Sequence, residues 1–426
     1  MWILLLIGIA VLVVMISYFR IQPFLAFLSV SILMGFVHGL KTTDVIDAVQ
    51  RGMGSTLGSI ISIIILGALI GKIVAKSNAS TVIADQLVKY FGTSRLPFAF
   101  MIIGFIVSLP LFFSVAFLLL APLVLTTAKR QQINPVYLGI PMLASLSITQ
   151  GYLPPHPAPY YLVTHLPGAD IATTLGWGIV IAIPAMLLSG WLFGKTLKNI
   201  PAEPMNFVQD NDNNNQPSFS SSLFVIVLPV ALIAAHAFVK NEIVERLSEP
   251  TIALFLSFIS ALYLLGYKRG VQLQEMQEWM TSAVKEVAPL LLTFAGAGAF
   301  KEILQAMKIG DEVLHIAMNN SINPLVLAWV IAALLRIVTG SSTVAGITTA
   351  GIVLPVLVNT GINPNLMALS IGAGSMVLSH VNDTGFWLYK EYFGVSIKNT
   401  LRSWTIMETI LAVVGLVGVL VLQHFI

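Results

Sequence analysis

Apolar runs of about twenty residues, divided by short polar connections, recur from one end of the chain to the other. Each is long enough to carry a helix through a hydrocarbon core ~30 Å thick. The pattern predicts a first helix over residues 2–19, retained because no positively charged stretch precedes it, and a second reaching about Leu40. From Thr43 to Met53 the residues Val45, Ile46, Val49 and Met53 share one face, which predicts a separate helix lying in the interface. A span over 57–75 follows, with Gly58, Gly67 and Gly71 spaced for close helix contact, and then a polar stretch to Arg95. The apolar run over 97–128 would measure ~48 Å as one helix, too long for a single crossing. Its interruption at Ser108-Leu109-Pro110 predicts a re-entrant hairpin. Next come a span from Asn134 broken at GYLPPHPAP (151–159), a helix over 171–193 and a polar, Asn-rich linker. The second half predicts helices over 223–239 and 250–267, an interfacial helix over 272–284 and a span over 287–304. A second broken run over 324–358, a span over 363–393 interrupted at 380–385 and a last helix from about Ser403 complete the chain.

The two halves repeat. Gly67, Ala68 and Lys72 match Gly296, Ala297 and Lys301, and Ile133-Asn134-Pro135 matches Ile362-Asn363-Pro364, all at a constant offset of 229 residues. In that register Ser114 falls on Thr343 and Pro154-Pro155 on Asp383-Thr384, so hairpin pairs with hairpin and break with break. An odd number of crossings separates the copies, which makes the second one inverted, an architecture of secondary transporters. The expected fold is an all-α integral membrane protein, an inverted-repeat transporter with two re-entrant hairpins and two broken transmembrane helices. Its first repeat spans 1–200, a cytosolic linker 201–222 and its second repeat 223–426.

Composition narrows the class. The chain is 57% hydrophobic and 10% charged, with mean hydropathy +0.89, far from the roughly one-quarter charged residues of soluble domains. It has no cysteine, which excludes disulfides, thiolate metal sites and cysteine nucleophiles. Phosphate-loop, Ser–His–Asp and His–Glu zinc patterns are also missing, so the sequence calls for no cofactor, no metal and no enzyme activity, and an ion gradient must supply the energy. Thirteen basic residues, among them Lys129, Arg130, Lys195 and Lys198, fall on one side of the drawn topology. Only Lys41, Arg51, Lys240, Arg246 and Lys308 fall on the other. The richer side is cytoplasmic, and both termini are expected outside.

Candidate chemistry sits where polar residues interrupt apolar spans. Arg336 lies twelve residues, or ~18 Å at helical rise, beyond Pro324 and therefore near mid-membrane, where a lone cation costs ~3 kcal/mol or more. It is either a structural partner of Asp383 or a carbonyl, or a clamp for a substrate carboxylate. The adjoining Thr339-Gly340-Ser341-Ser342-Thr343 opens a returning helix, whose free N–H groups and hydroxyls suit an anion. Ser114 is its counterpart in the first hairpin. In Ser379-His380-Val381-Asn382-Asp383-Thr384-Gly385, Asp383 is either a helix N-cap or an acceptor for a proton or cation. His380 and His156 titrate near neutrality and are either structural or relay groups. Lys72 and Lys301 are expected to snorkel to opposite faces.

The stretches 51–77, GYLPPHPAP (151–159), LLRIVTGSSTVAGITTAGI (334–352) and GAGSMVLSHVNDTGFWLYKEYFG (372–394) together resemble the gluconate permease family over nearly the whole chain. The resemblance implies an inner-membrane symporter that takes protons with gluconate or a related small hydroxy acid, with the fold of the inverted-repeat ion transporters. It places the site at Ser341, Ser342, Thr343, His380, Asn382 and Asp383, with His156 opposite. Arg336, Thr339, Gly340 and Ser114 join the expected substrate site from the residue reading, and Asp383 and His380 the ion-coupling site. Expected partners are a small anion, a proton or Na⁺, the bilayer and, as an open option, a second copy of the chain; nucleic acid is not among them. Tyr160 and Tyr161 depart from the small residues of the family pattern, and two phenols there are expected to narrow the cavity or bind a different sugar acid. Sodium coupling and a D-serine-like substrate stay open as alternatives.

Overall fold

The computed structural model describes residues 2–19, 21–92, 95–109, 111–204, 216–239, 241–309, 311, 315, 322–381 and 383–426, and all regular structure among them is helical. Most of the Asn-rich linker, and Asn382, lie outside the described residues. In chain order the helices are α1 (Trp2–Val13), α2 (Pro23–His38), α3 (Thr42–Lys76), α4 (Ala79–Phe91), α5 (Leu96–Ser108), α6 (Phe113–Gln131), α7 (Pro135–Tyr152), α8 (Pro157–His165) and α9 (Ile171–Lys195). After the linker come α10 (Phe219–Phe238), α11 (Glu242–Ser248), α12 (Pro250–Arg269), α13 (Leu273–Ala306), α14 (Pro324–Thr339), α15 (Ser342–Thr360), α16 (Pro364–Gly374), α17 (Thr384–Phe393) and α18 (Ile397–Phe425). Among the described residues, seven of these (α3, α6, α9, α12, α13, α15, α18) are long and apolar enough to cross a membrane.

Two expectations are corrected at once. The interfacial segments over 43–53 and 272–284 are not separate helices but the first turns of α3 and α13, which run unbroken for 35 and 34 residues. At the first junction the only breakers are glycines, each costing only ~1 kcal/mol in a helix interior; at the second, Pro289 stands inside α13, which continues through it. At ~50 Å both helices outrun the hydrocarbon core, so their amphipathic starts project beyond it. The polar stretch before Arg95 also contains a helix, α4, and a short α11 precedes α12.

α3 and α13 pack along each other through glycine. A Cβ on Gly298 would meet the Gly52 carbonyl oxygen at 2.3 Å, and one on Gly52 would meet the Gly298 oxygen at 2.2 Å. Backbone therefore lies on backbone, the approach that small residues permit between membrane helices.

The breaks have local causes. α14 ends where Gly340 turns left-handed (φ 68°), and Ser341 restarts the chain as the N-cap of α15, accepting the Val344 N–H at 3.3 Å. After α16, Asp383 caps α17 by accepting the Gly385 N–H at 2.8 Å. The equivalent break between α7 and α8 runs through Leu153-Pro154-Pro155-His156, where proline removes the N–H groups a continuing helix needs. Asn134 and Asn363, each followed by Pro, cap α7 and α16, accepting the N–H two residues on at 2.9 Å in both cases.

Candidate substrate site

Arg336 reaches the described interior from the last turn of α14 and is 4% exposed. One guanidinium nitrogen pairs with Asp383 Oδ2, which also accepts the Ser379 hydroxyl, while Oδ1 caps α17. Three donors thus converge on one carboxylate, so Asp383 is at once the cap of α17 and the structural partner of Arg336. Arg336 Nε has no hydrogen-bond partner among the described residues. The pair is braced from α18, where a π-helical turn over Leu401–Thr405 turns two side chains onto the break. Trp404 donates its indole N–H to Ser379 Oγ at 2.7 Å, and Thr405 its hydroxyl to the Ser379 carbonyl at 2.5 Å.

The pair forms part of the wall of a cavity of about 180 Å³, smaller than the ~300–1,000 Å³ typical of drug-sized ligands. Both halves of the chain contribute. From the second come Arg336, Gly340, Ser341, Ser342, Thr343 and Asp383; from the first come Ser114 and Gln150, whose amide donates to Ser342 Oγ at 3.1 Å. A guanidinium, the N-terminus of α15 and several hydroxyls beside an amide make a wall that can hold one carboxylate and hydrogen-bond several hydroxyl groups.

Other expected residues stand off the wall. Thr339 folds back onto the Leu335 carbonyl at 2.8 Å. His156, 4% exposed, hydrogen-bonds the Ser108 carbonyl at 2.8 Å and so ties the break between α7 and α8 to the end of α5. His380 is held by the Ile337 backbone, within the field of Arg336 and Asp383. Tyr160 and Tyr161 are buried away from the cavity and do not narrow it; the Tyr161 hydroxyl instead accepts from Lys301 Nζ at 3.1 Å. Lys301 therefore does not snorkel: it is 6% exposed and also paired with Glu302 at 2.9 Å, because α13 turns it toward α8 rather than toward lipid. Lys72, on α3, bridges to Glu286 on α13 at 2.5 Å.

Sequence reading missed Glu408. It lies eleven residues, or ~17 Å, inside α18, is 1% exposed, and forms part of the same cavity wall. The signal was present, since a lone carboxylate in an apolar span is a site candidate by default.

A helical bundle with several helices long and apolar enough to cross a membrane, built around a small cavity with a buried guanidinium on its wall, is the architecture of a membrane permease. Two solved transporters share the fold. The Alcanivorax borkumensis YdaH transporter superposes with a TM-score of 0.67 over 95% of this chain and 98% of its own, at 15% identity. Neisseria gonorrhoeae MtrF does so at 0.60 over 89% and 83%, at 14% identity. The chain belongs to the GntP permease family, whose pattern it matches over residues 1–426. It is 38% identical to the Gnt-II system L-idonate transporter of Escherichia coli (strain K12), over 98% of this chain and 97% of that one. The gluconate permease of Pseudomonas aeruginosa is 38% identical (97% and 95% covered), and a high-affinity gluconate transporter of E. coli (strain K12) 37% (98% of each).

Proposed function

We propose that this permease imports gluconate or a close sugar acid across the inner membrane by proton symport. The observation that carries the reading is the Arg336–Asp383 pair on the wall of a small, hydroxyl-rich cavity. A substrate carboxylate entering there competes with Asp383 for the guanidinium, while Ser341, Ser342, Thr343, Ser114 and Gln150 take its hydroxyls. Asp383 recovers Arg336 when the substrate leaves, so the empty site never holds a bare buried cation, whose cost would block its return. His380, facing the same pair, belongs to this coupling end, with Asn382 beside it in sequence. The relatives named for gluconate and L-idonate support a polyhydroxy monocarboxylate.

The same proposal includes inverted repeats over 1–200 and 223–426, with re-entrant hairpins and external termini. Helix bounds support it: α6 (Phe113–Gln131) moved by 229 residues covers 342–360, the bounds of α15 (Ser342–Thr360). Its other support is length, because α5 measures only ~20 Å, too short to cross.

Uptake into proteoliposomes under separately imposed pH and sodium gradients, with gluconate, L-idonate and D-serine, tests it. Accumulation of a sugar acid is expected to follow the pH gradient and ignore sodium. Asp383→Asn keeps an oxygen for the cap, and is expected to exchange labelled substrate yet fail to concentrate it. Sodium-driven uptake indifferent to pH would reject proton coupling.

A further inference from the structure

Glu408 is the one carboxyl on the cavity wall that the proposed cycle leaves without a task. Its Oε1 accepts the Ser147 hydroxyl from α7, and its Oε2, fully buried, has no partner among the described residues. An ionised carboxylate offers about four acceptor sites, whereas a protonated one presents an O–H and fewer demands. The groups around it are Ser147 and Tyr152 on α7, Arg336 on α14, and Asp383 ahead of α17. Tyr152 is turned away to the Leu411 carbonyl at 2.5 Å, and the Arg336 partner already shown is Asp383. Among the described residues, therefore, none supplies Glu408 with a salt bridge.

We propose that Glu408 is the residue that binds the coupled proton, so that the site loads one proton on Glu408 and one carboxylate on Arg336. The inference rests on the symport reading above and deepens it. Charge is its physical reason. With Glu408 ionised, Arg336, Asp383 and Glu408 sum to one net negative charge. A proton and a monovalent anion entering together leave that sum unchanged, whereas the anion alone doubles it in a low-dielectric cavity. The proton comes from water on the loading side, adds to the Glu408 carboxylate without breaking another bond, and returns to water on the other side after the substrate has gone. Loaded and empty sites then carry the same charge across the membrane, and the half-loaded site does not.

The test uses the full-length protein in proteoliposomes with gluconate as probe. At one proton per anion, an imposed step of one pH unit supports ~10-fold accumulation. The parent is expected to reach it. Glu408→Gln is expected to fall to no accumulation, its gluconate counterflow still measurable but no longer pH-dependent. Glu408→Asp is expected to recover a pH-dependent response. Infrared difference spectra on gluconate addition are expected to show a protonated-carboxyl band in the parent and to lose it in Glu408→Gln. Should Glu408→Gln fail to insert, Ser147→Ala decides: removing the one donor to the ionised form is expected to move the midpoint of pH-dependent uptake upward, and an unmoved midpoint overturns the proposal. A Glu408→Gln protein that accumulates gluconate like a working parent overturns the proposal alone. A parent that ignores the pH gradient overturns the symport reading and this assignment with it.

Discussion

At the scale of the residue, the charged groups on the cavity wall, Arg336, Asp383 and Glu408, all come from the second half of the chain. Shifted back by 229 residues, Arg336, Asp383 and Glu408 fall on Val107, Pro154 and Ile179. No cation or carboxylate stands at those earlier positions, so the three charges are a feature of the second half alone. On the proposed function, Arg336 is the group to test first, because a planar fork can hold a substrate carboxylate with two parallel bonds and an ammonium cannot. Arg336→Lys is expected to insert normally and to weaken gluconate binding ~10- to 100-fold, the loss that a charge-assisted hydrogen bond of ~1.5–3 kcal/mol implies. Binding to the purified protein, measured by calorimetry, checks it; near-parental affinity would place the substrate charge elsewhere.

At the scale of the element, the two long helices α3 and α13 pack along each other as a spine of the bundle. Their contact depends on the missing side chains of Gly52 and Gly298, whose Cβ atoms would land on the opposing carbonyl oxygens. Gly298→Val is expected to cost at least ~1–3 kcal/mol, the range for overpacking, seen as a lowered melting temperature in detergent and loss of uptake. Gly58→Ala serves as the control, since nothing lies within 4 Å of the added carbon and alanine favours helix. Equal destabilisation by both would mean that helix propensity, not the crossing, governs the effect.

At the scale of the whole molecule, the proposed inversion makes one prediction that does not depend on the site. Reporter fusions at Asn213 are expected to read cytoplasmic and at Ile426 external, following the basic bias of the loops; the same side for both would end the inverted arrangement as drawn. Much of the architecture was legible in the chain itself. Asn-Pro pairs gave the starts of α7 and α16, Gly340 and Ser341 the turn between α14 and α15, and Asp383 the start of α17, because each of these acts through bonds to backbone a few residues away. Family membership was legible for the same reason, in contiguous motifs. What the sequence left undecided depends on residues far apart. Whether an amphipathic start joins the span behind it turned on packing along a partner helix, which gave α3 and α13 their full length, α13 despite Pro289. Lys301 reads as a snorkelling cation until α8 brings Tyr161 against it. Glu408 reads as one carboxylate in an apolar helix until Ser147, Arg336 and Asp383, from three other segments, are folded around it. Hydrogen-bonding rules local to the backbone fixed the elements; only the tertiary structure, by choosing which buried charges face one another, decided which polar residues make the site.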